Sequence, residues 1–404
     1  MRQQLKFSIR VVVKAGTSIL TSEDGKISSR NLARLGGDVE RVLKAGKQAV
    51  LVSSGAIAYG MQAMGFLKRP KEMARLQACA AIGQGKLMHA YEEFFLSKGL
   101  TTAQILLTRD GLEDRTRFLA ARKTLEELFS LGVLAIVNEN DTVATDEIAF
   151  GDNDILSVQV AHLVGADLLV ILSDVDGFYL RDGSRIREVA SEAEIDTELV
   201  KHLRDKRKEK TVGGMRAKLK AAKLAMRLGI PLLMVSGHEA NSLERALAGE
   251  DVGTLFHASR LAKSSRGKWI AFSAARKGAL TLDRGAHEAL LKKKRSLLAS
   301  GIVRVRGAFE RGDVVELETL EGAIFGRGVV RYSSRDLAQI TGKKSHEIQA
   351  ILGYKYQDEV IHRNDLVLWG EKKIRASSDK RIFGNHEKKG KEKLSLAGGG
   401  RANP

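Results

Sequence analysis

Six short polar loops carry the residue types from which a phosphoryl-transfer site can be built. They lie at residues 14–18, 53–56, 138–141, 151–154, 173–177 and 213–218. Glycines in such loops let backbone N–H groups approach phosphate oxygens, and lysines neutralise phosphate charge. Acidic side chains in the same set would hold the lysines or an amine. This inventory suits the movement of a phosphoryl group onto an anionic acceptor.

Apolar runs predict the strands that would position these loops. The runs occur at 9–13, 48–52, 103–107, 133–137, 168–172 and 232–235, and helical patterns alternate with them. Strands that are almost continuously apolar and alternate with helices predict an α/β fold, with a parallel sheet covered on both faces. Because ligands gather at the carboxyl ends of such strands, we expect all six loops to face one crevice.

The first and last loops are suited to phosphate. Gly16 leaves room for phosphate oxygens, and Lys14 could bridge the β- and γ-phosphates as a point charge. The loop at 213–218 opens a helix, and Lys218, one turn inside, could reach the γ-phosphoryl group. Neither loop has the GxxxxGK[ST] spacing of a Walker loop. A surface lysine in a turn is the alternative interpretation of Lys14.

The loops at 138–141 and 151–154 contain four acidic residues close together in the sequence. Like charges repel, so a purely structural loop rarely needs them. The functional interpretation assigns Asp141 to the ammonium group of a substrate and Asn153 to its carboxylate or backbone-facing atoms. Asp154 would orient the lysines or help to hold Mg²⁺. A solvated acidic loop is the alternative.

Two further loops contain serine. Ser54, before Gly55, could donate to a carboxylate, although a Ser-Gly turn without function is the alternative. Ser173 and Asp174 follow the most apolar strand and could cradle a nucleotide.

The sequence lacks an obvious acid–base or metal centre. A carboxylate acceptor is already ionised and needs no general base, which agrees with the lack of an obvious Ser/His/Asp or Cys/His arrangement. The histidines show no metal-binding spacing, so no protein-only metal site is predicted.

The second part of the chain has a different pattern. Short segments separated by glycine turns indicate a small β-rich domain, and a polar stretch precedes it. The end of the chain has ten Lys/Arg against four Asp/Glu and few apolar residues, which predicts disorder. We therefore expect a first domain at 1–262, a linker at 263–277, a second domain at 278–370 and a basic tail at 371–404.

Composition limits the classes of protein. The chain has 404 residues, a net charge of +18 and a single cysteine, Cys79, so no internal disulfide can form. A lone cysteine fits a reducing compartment, and no signal peptide or membrane-spanning run is visible, which predicts a cytoplasmic protein without a membrane partner. The basic balance is compatible with anionic small substrates or with nucleic acid.

Longer motifs narrow the interpretation. The first domain contains VVKAGTS, VSSGAIAYG, AAIGQGKLM, AQILLTRD, NENDTVA, FGDNDILS, ILSDVDGFY and GGMRAK, and the second contains LDRGAHEAL, SLLASGI, RGDVV and VIHRNDLVL. Together they resemble the glutamate 5-kinase family, which belongs to the amino-acid kinase superfamily and carries a C-terminal PUA domain. The resemblance extends from Val11 to Leu368.

The resemblance implies a fold and a reaction. The fold is a three-layer α/β sandwich with a mostly parallel central sheet, followed by a small β-rich PUA domain. The reaction is ATP-dependent, Mg²⁺-dependent phosphorylation of the γ-carboxylate of L-glutamate, the first step of proline biosynthesis. Implied partners are a second copy in a homodimer or homotetramer, a reductase that accepts γ-glutamyl phosphate, and RNA bound weakly by the PUA domain.

The resemblance also assigns residues. The implied catalytic residues are Lys14, Asp154 and Lys218. Glutamate contacts fall to Ser54, Gly55, Asp141 and Asn153. ATP contacts fall to Lys14, Gly16, Ser173, Asp174, Val212, Gly213, Gly214, Met215, Arg216, Ala217 and Lys218.

Three alternatives stay open at this point. Another member of the superfamily would act on aspartate, N-acetylglutamate, carbamate or UMP. RNA binding could be a main or second role. Residues 211–215 read Thr-Val-Gly-Gly-Met where the family has Gly-Thr-Gly-Gly-Met, so a kinase-like regulator without activity is the third.

Overall fold

The computed structural model describes residues 2–143, 152–180, 182–199, 211–259 and 265–369. The chain divides into two compact units, the first ending at Arg276 and the second beginning at Lys277. Gly151, the first two residues of the predicted linker and the predicted basic tail lie outside the described residues.

The first unit is built on an eight-stranded sheet with the order β3-β4-β2-β1-β5-β9-β10-β8. Neighbouring strands are parallel except for the antiparallel pair β9 and β10. Strands β6 and β7 form a separate antiparallel hairpin. The strands are β1 Arg10–Ala15, β2 Gln48–Val52, β3 Thr102–Leu107, β4 Leu134–Glu139, β5 Leu168–Ser173, β6 Phe178–Tyr179, β7 Arg185–Ile186, β8 Glu188–Val189, β9 Leu232–Ser236 and β10 Thr254–Phe256.

Helices cover both faces of this sheet. They are α1 Thr17–Leu20, α2 Ser29–Lys44, α3 Ala56–Ala63, α4 Met73–Leu96, α5 Arg109–Glu113, α6 Arg115–Ser130, α7 Asp152–Val164, α8 Glu192–Glu194, α9 Thr211–Leu228, α10 Ser242–Leu247 and α11 Ser265–Lys268. Helices α2, α4 and α10 share one core with alternate residues of the central strands. Helix α7 packs on β1 and β5, beside α6 and α9. The predicted three-layer α/β sandwich with a mostly parallel sheet is confirmed.

Strand register brings the carboxyl ends together at one edge. Lys14, near the end of β1, lies opposite Val52 of β2 and Ile171 of β5. Val52 in turn lies opposite Val137 of β4. Side chains alternate between the faces of a strand, so Val11, Val13 and Ala15 enter the core with α2 while Lys14 points to the other face, where α7 packs.

Two glycines set the close approach of α3 and α4. A Cβ atom at Gly60 would lie 1.9 Å from the carbonyl oxygen of Cys79, and one at Gly83 would lie 1.8 Å from that of Ala56. No side chain fits at either position, so the two backbones are in direct contact. This contact fixes α4 against the first turn of α3. Cys79 is buried at the same crossing.

Residues inside the predicted linker range are helical. Helix α11 is followed by a π-helical turn, Trp269–Ser273. Trp269 and Ile270 are buried, and the Trp269 ring lies 6.4 Å from that of Phe118 on α6. Burial of an aromatic side chain ties this part of the predicted linker to the first unit.

The second unit contains a five-stranded sheet with the order β13-β11-β14-β15-β17 and a two-stranded antiparallel pair, β12 and β16. The strands are β11 Arg276–Leu282, β12 Leu297–Leu298, β13 Ile302–Gly307, β14 Val314–Glu318, β15 Ile324–Val329, β16 Glu359–Ile361 and β17 Leu366–Leu368. The helices are α12 Arg284–Lys293, α13 Ser334–Ile340 and α14 Ile348–Leu352. Leu280, Leu317 and Phe325 form part of its own core. The predicted β-rich second domain is confirmed.

Candidate active site

A buried carboxylate lies between two lysines at the carboxyl edge of the first unit's sheet. Lys14 Nζ lies 2.6 Å from Asp154 Oδ1, and Lys218 Nζ lies 3.6 Å from Asp154 Oδ2. The side chains of Lys14 and Asp154 are 6% and 0% exposed. The structure thus brings together three residues that come from β1, α7 and α9. These are the three residues that the family resemblance implies are catalytic.

The contacts of Asp154 are electrostatic rather than well-oriented hydrogen bonds. Both carboxylate oxygens are buried, and among the described residues neither has a hydrogen-bond donor in suitable geometry. Two ammonium groups therefore compensate a buried negative charge whose removal from water is costly. An ion pair in low dielectric is stronger than one at the surface. The arrangement holds both lysines toward one point.

Gly16 controls the space beside Lys14. It caps α1 with extended backbone angles, φ −75° and ψ 163°. A Cβ atom at this position would lie 3.3 Å from Lys14 Nζ. The absent side chain therefore leaves space beside the ammonium group, which a phosphate-binding position would require.

A neutral network adjoins the charged cluster. Asn153, on α7 next to Asp154, directs its Nδ2 group at three acceptors: Ser53 O at 2.9 Å, Ser54 Oγ at 2.8 Å and Asn138 Oδ1 at 3.1 Å. The amide nitrogen of Asn153 is therefore engaged by protein atoms, which leaves its oxygen for a ligand. Ser54 accepts from Asn153, so the Ser54 hydroxyl hydrogen remains available to donate.

Sequence reasoning missed the far end of this network. Asn138 Oδ1 also accepts from the backbone N–H of Glu139, and Asn138 Nδ2 donates to Gln84 Oε1 at 2.8 Å. Gln84 lies on α4, directly after Gly83. A polar residue between two glycines, in an otherwise apolar helix segment, is the signal that could have identified it.

The turn after β4 supplies the predicted amine ligand. Asp141 begins a 3₁₀ turn, Asp141–Val143, that packs against α4. Arg69, in the loop before α4, is half-buried, and burial lowers the pKa of its guanidinium while the nearby charge of Asp141 opposes that shift. Arg69 is thus a further charged group on this side, and no sequence pattern indicated it.

The predicted substrate turn and nucleotide loops lie at the same sheet edge. Gly55, with φ +106°, caps α3 in a conformation that favours glycine. Ser173 ends β5 and is buried, and its hydroxyl donates to Oδ1 of the exposed Asp174 at 3.0 Å. The remaining predicted ATP contacts lie in the first two turns of α9, which contain Val212, Gly213, Gly214, Met215, Arg216, Ala217 and Lys218.

The order of strands separates the two groups of predicted contacts. Along the edge, Asn138 follows the apolar part of β4, Ser53 follows β2, Lys14 lies on β1 and Ser173 ends β5. Ser54, Gly55 and Asp141, which are predicted to bind the acceptor, follow β2 and β4 and therefore lie on one side of β1. Ser173 and Asp174, predicted to bind the nucleotide, lie on the other. Lys14 stands between them.

The residues present favour a magnesium ion carried by phosphate. In the part of the chain that the structure describes, no group of three or more His, Cys, Asp or Glu side chains could hold a metal. Asp154 does not fit as a ligand, because a divalent cation there would meet two ammonium groups. The exposed Asp174 carboxylate could add one oxygen to an ion held mainly by nucleotide phosphates, as Mg²⁺ usually is.

Among the helices of the described ranges, none is long and apolar enough to cross a bilayer.

Comparison with known proteins gives consistent matches. The amino acid kinase family matches residues 10–236, and the PUA domain matches residues 278–352. The glutamate 5-kinase of Geobacter sulfurreducens is 44% identical over 362 residues, which are 89% of this chain and 97% of the relative. The glutamate 5-kinase of Myxococcus xanthus is 42% identical over 370 residues, 91% of this chain and 98% of the relative.

Among solved structures, the carbamate kinase of Giardia is similar with a TM-score of 0.45 and 17% identity, over 62% of this chain and 99% of that one. The sequence relatives cover nearly the whole of their own length and most of this chain. The chain therefore belongs to the amino acid kinase family and, within it, to the glutamate 5-kinase family.

Proposed function

We propose that this chain transfers the γ-phosphoryl group of ATP to the γ-carboxylate of L-glutamate. The observation that carries the proposal is the buried Lys14–Asp154–Lys218 cluster, which adjoins the Asn153 network at the edge of a kinase-type sheet. Relatives named glutamate 5-kinase supply the identity of the acceptor.

The lysines act on the transferring group. Lys14 and Lys218 would contact phosphate oxygens and stabilise the charge of the metaphosphate-like transition state. Backbone N–H groups at the start of α9 favour the same anion. Mg²⁺, when bound to the phosphates, neutralises their charge. Asp154 is a positioning residue, because it touches both lysines and holds their ammonium groups at fixed points before ATP arrives.

The acceptor needs orientation rather than activation. One oxygen of the ionised γ-carboxylate forms a bond to the γ-phosphorus, the bond from that phosphorus to the β,γ-bridging oxygen breaks, and the electron pair leaves on ADP. No proton is transferred to or from the acceptor. Asp141 would hold the ammonium group, and the Ser54 hydroxyl would donate to a carboxylate. The turn at Gly55 shapes this side.

The chemistry of the product, γ-glutamyl phosphate, indicates a partner enzyme. An acyl phosphate is labile in water, so a reductase that takes γ-glutamyl phosphate is a suitable partner, within proline biosynthesis. Assembly as a homodimer or homotetramer and a cytoplasmic location stay predictions. The location is supported by the single buried cysteine, which behaves as a small core residue.

A substrate panel tests the reaction. Purified protein is given ATP, Mg²⁺ and, in turn, L-glutamate, L-aspartate, N-acetyl-L-glutamate, carbamate or UMP. ADP release is measured, and acyl phosphate is trapped with hydroxylamine. We expect hydroxamate with L-glutamate, at a kcat/KM well above that of every other acceptor. Preference for another acceptor would replace glutamate, and no turnover with any would favour the regulator without activity.

We also propose that the second unit binds RNA through its phosphates. Two observations support this proposal: the match to the PUA domain, and a pocket of about 880 Å³ on one face of α12. Its lining is mostly basic at the rim and apolar at the floor. Lys293, Lys294, Arg295 and Arg363 are exposed, and none of them forms an ion pair within residues 277–369. Unpaired cations beside an apolar floor suit phosphate and base together.

One backbone angle supports this second proposal. Lys294 caps the C-terminal end of α12 with φ +50°, in the left-handed region where glycine is usual, and lysine there costs about 1 kcal/mol. The one acidic lining residue, Asp283, already accepts from the backbone N–H of Ala286 as a helix cap. Among the described lining residues, one carboxylate therefore faces four cations, and it also serves as a helix cap.

Salt dependence of RNA binding tests it. Affinity for a structured RNA is measured against salt for the wild type, for Lys293→Ala with Arg295→Ala, and for the matched control Lys343→Ala with Lys344→Ala. The control removes the same charge from exposed positions outside the pocket. We expect the pocket variant to lower the salt slope by roughly 1 to 2 and the control to leave it unchanged. Equal slopes, or no binding at low salt, would contradict the proposal.

A further inference from the structure

We propose that Gln84 contacts the substrate: its Nε2 group donates a hydrogen bond to the α-carboxylate of the bound amino acid. This inference rests on the proposed function, and it adds a specificity-determining residue from α4 to the acceptor side of the site.

The direction of the hydrogen-bond chain fixes which atom of Gln84 is free. Asn138 Oδ1 accepts from the backbone N–H of Glu139 and from Asn153, so Asn138 Nδ2 is left to donate. It donates to Gln84, whose partner atom must then be Oε1. Each amide in the chain is therefore oriented by its neighbours. The Nε2 group of Gln84 is left at the end of the chain.

That terminal donor lacks a protein partner. Gln84 Nε2 is buried and has no hydrogen bond to any described residue. A buried donor without an acceptor is unfavourable, and native proteins rarely keep one without a ligand or a role. An anionic acceptor supplied by the substrate would satisfy it, with the added strength of a charge-assisted bond.

Helix packing directs Gln84 to the site. Gly83 lets α4 touch the backbone of Ala56, in the first turn of α3 directly after the Ser54 turn. Helix α4 also packs against the turn that Asp141 begins. Gln84 therefore lies among the elements that carry Ser54, Asp141 and Asn138, which are the acceptor-side elements.

The choice of carboxylate follows from the order along the sheet edge. The γ-carboxylate must meet the phosphoryl group, which Lys14 and Lys218 hold. Gln84 is reached through Asn138 on β4, which is separated from β1 by β2. The amino acid's other end therefore lies on Gln84's side, where the ammonium group faces Asp141. Its α-carboxylate is the anion available to Gln84.

A ligand that lacks this charge tests the contact. L-isoglutamine has an α-carboxamide but keeps the γ-carboxylate, so it can still be phosphorylated. The Gln84→Glu variant keeps an oxygen for Asn138 and replaces the donor with a carboxylate oxygen. We expect its KM for L-glutamate to rise about 10- to 100-fold, because a charge-assisted bond is replaced by repulsion. Its KM for isoglutamine should rise less or fall, and its KM for ATP should stay unchanged.

The ratio of the two KM values separates substrate contact from support of Asn138. A merely structural Gln84 would leave the glutamate-to-isoglutamine ratio at its wild-type value, which would overturn the inference. Gln104→Glu, the same change at an exposed position of β3, is the matched control. If the wild type phosphorylates neither compound, the proposed function is contradicted instead. Calorimetric binding of the same two compounds would then test whether Gln84 contacts the ligand.

Discussion

Charges surround the proposed point of phosphoryl transfer, whereas neutral groups hold much of the proposed acceptor side. Lys14, Asp154 and Lys218 form a buried cluster of ions, and no described residue gives the carboxylate a well-oriented hydrogen bond. Asn153 and the amides linked to it form a directional chain of hydrogen bonds that begins one residue away on α7. Both halves of the site therefore include a residue of α7, but one half is built from ions and the other from neutral hydrogen-bonding groups.

This difference between ions and amides indicates a different function for each half of the site. Charge that grows during phosphoryl transfer is stabilised by fixed ions, and this acts on the transition state. A site built from oriented amides rejects ligands that leave its polar groups unpaired, and this acts on selection. Changes in the charged half should lower kcat, and changes in the amide half should raise the KM for the acceptor.

Removal of one lysine should have the largest effect. Lys218→Met keeps an unbranched side chain, one atom shorter, but removes the ammonium group and leaves Asp154 with Lys14 alone. We expect kcat for hydroxamate formation to fall about 100- to 1,000-fold, as for loss of a transition-state donor. Lys220→Met, at an exposed position of the same helix, is the control and should retain wild-type kcat. A kcat within a few-fold of wild type would remove Lys218 from catalysis.

A change of one amide should have the next largest effect. Asn153→Asp places a carboxylate against three acceptors, Ser53 O, Ser54 Oγ and Asn138 Oδ1. The KM for L-glutamate should rise about 10- to 100-fold. Asn31→Asp also replaces an amide that donates to a backbone carbonyl, 2.8 Å away, but lies on α2, and it should leave KM unchanged. An unchanged KM in Asn153→Asp would disconnect this network from selection.

Crowding of Lys14 should have a moderate effect. Gly16→Ala is compatible with the backbone, since φ is −75°, but its methyl group would displace the Lys14 ammonium by a few tenths of an ångström. We expect kcat to fall about 10-fold, because small misplacements of a catalytic group are costly. Gly37→Ala on α2, where the added methyl has ordinary contacts, is the control. Equal kcat values would show that Lys14 tolerates the shift.

His162, in the last turn of α7, should make the free energy of unfolding depend on pH. Burial, together with the charges of Lys268, Arg122 and Arg115, lowers the pKa of His162 from 6.5 to about 4. Between those pH values the unfolded chain binds a proton that the folded chain does not. The free energy of unfolding should therefore decrease as the pH falls through this window, by up to about 3 kcal/mol.

The measurement follows urea unfolding by the fluorescence of Trp269 in a Trp369→Phe background. The contribution of His162 is the part of the pH slope that His162→Gln removes. If both proteins lose stability in parallel, His162 is not the titrating group. If kcat at neutral pH is unchanged in His162→Gln, loss of activity in the charged half cannot be ascribed to general weakening of α7.

The elements were predictable because their signals are local. Strands such as β2 and β5 are continuous apolar runs, and the observed bounds differ from the predicted ones by no more than a residue or two. Lys14, Asp154 and Lys218 could be proposed as site residues for the same reason, because each belongs to a short local motif. Parallel strand order then brings residues that are far apart in the chain to one edge.

The missed residues depend on tertiary contacts. Gln84 is chemically ordinary in a helix, and only the glycine contact of α4 with α3 brings it to the site. Arg69 lies in a loop whose path the sequence does not determine. The engagement of the Asn153 nitrogen by protein atoms also depends on three acceptors from other segments. A local pattern carries no information about such neighbours.

The measurement that tests the account most directly is the kinetics of Lys218→Met and Asn153→Asp side by side. Both kcat and the KM for L-glutamate are determined from trapped γ-glutamyl hydroxamate at saturating ATP. We predict that the first variant loses kcat with little change in KM, and that the second raises KM with little loss of kcat. The same parameter changing in both variants would contradict the division of the site into a charged half and an amide half.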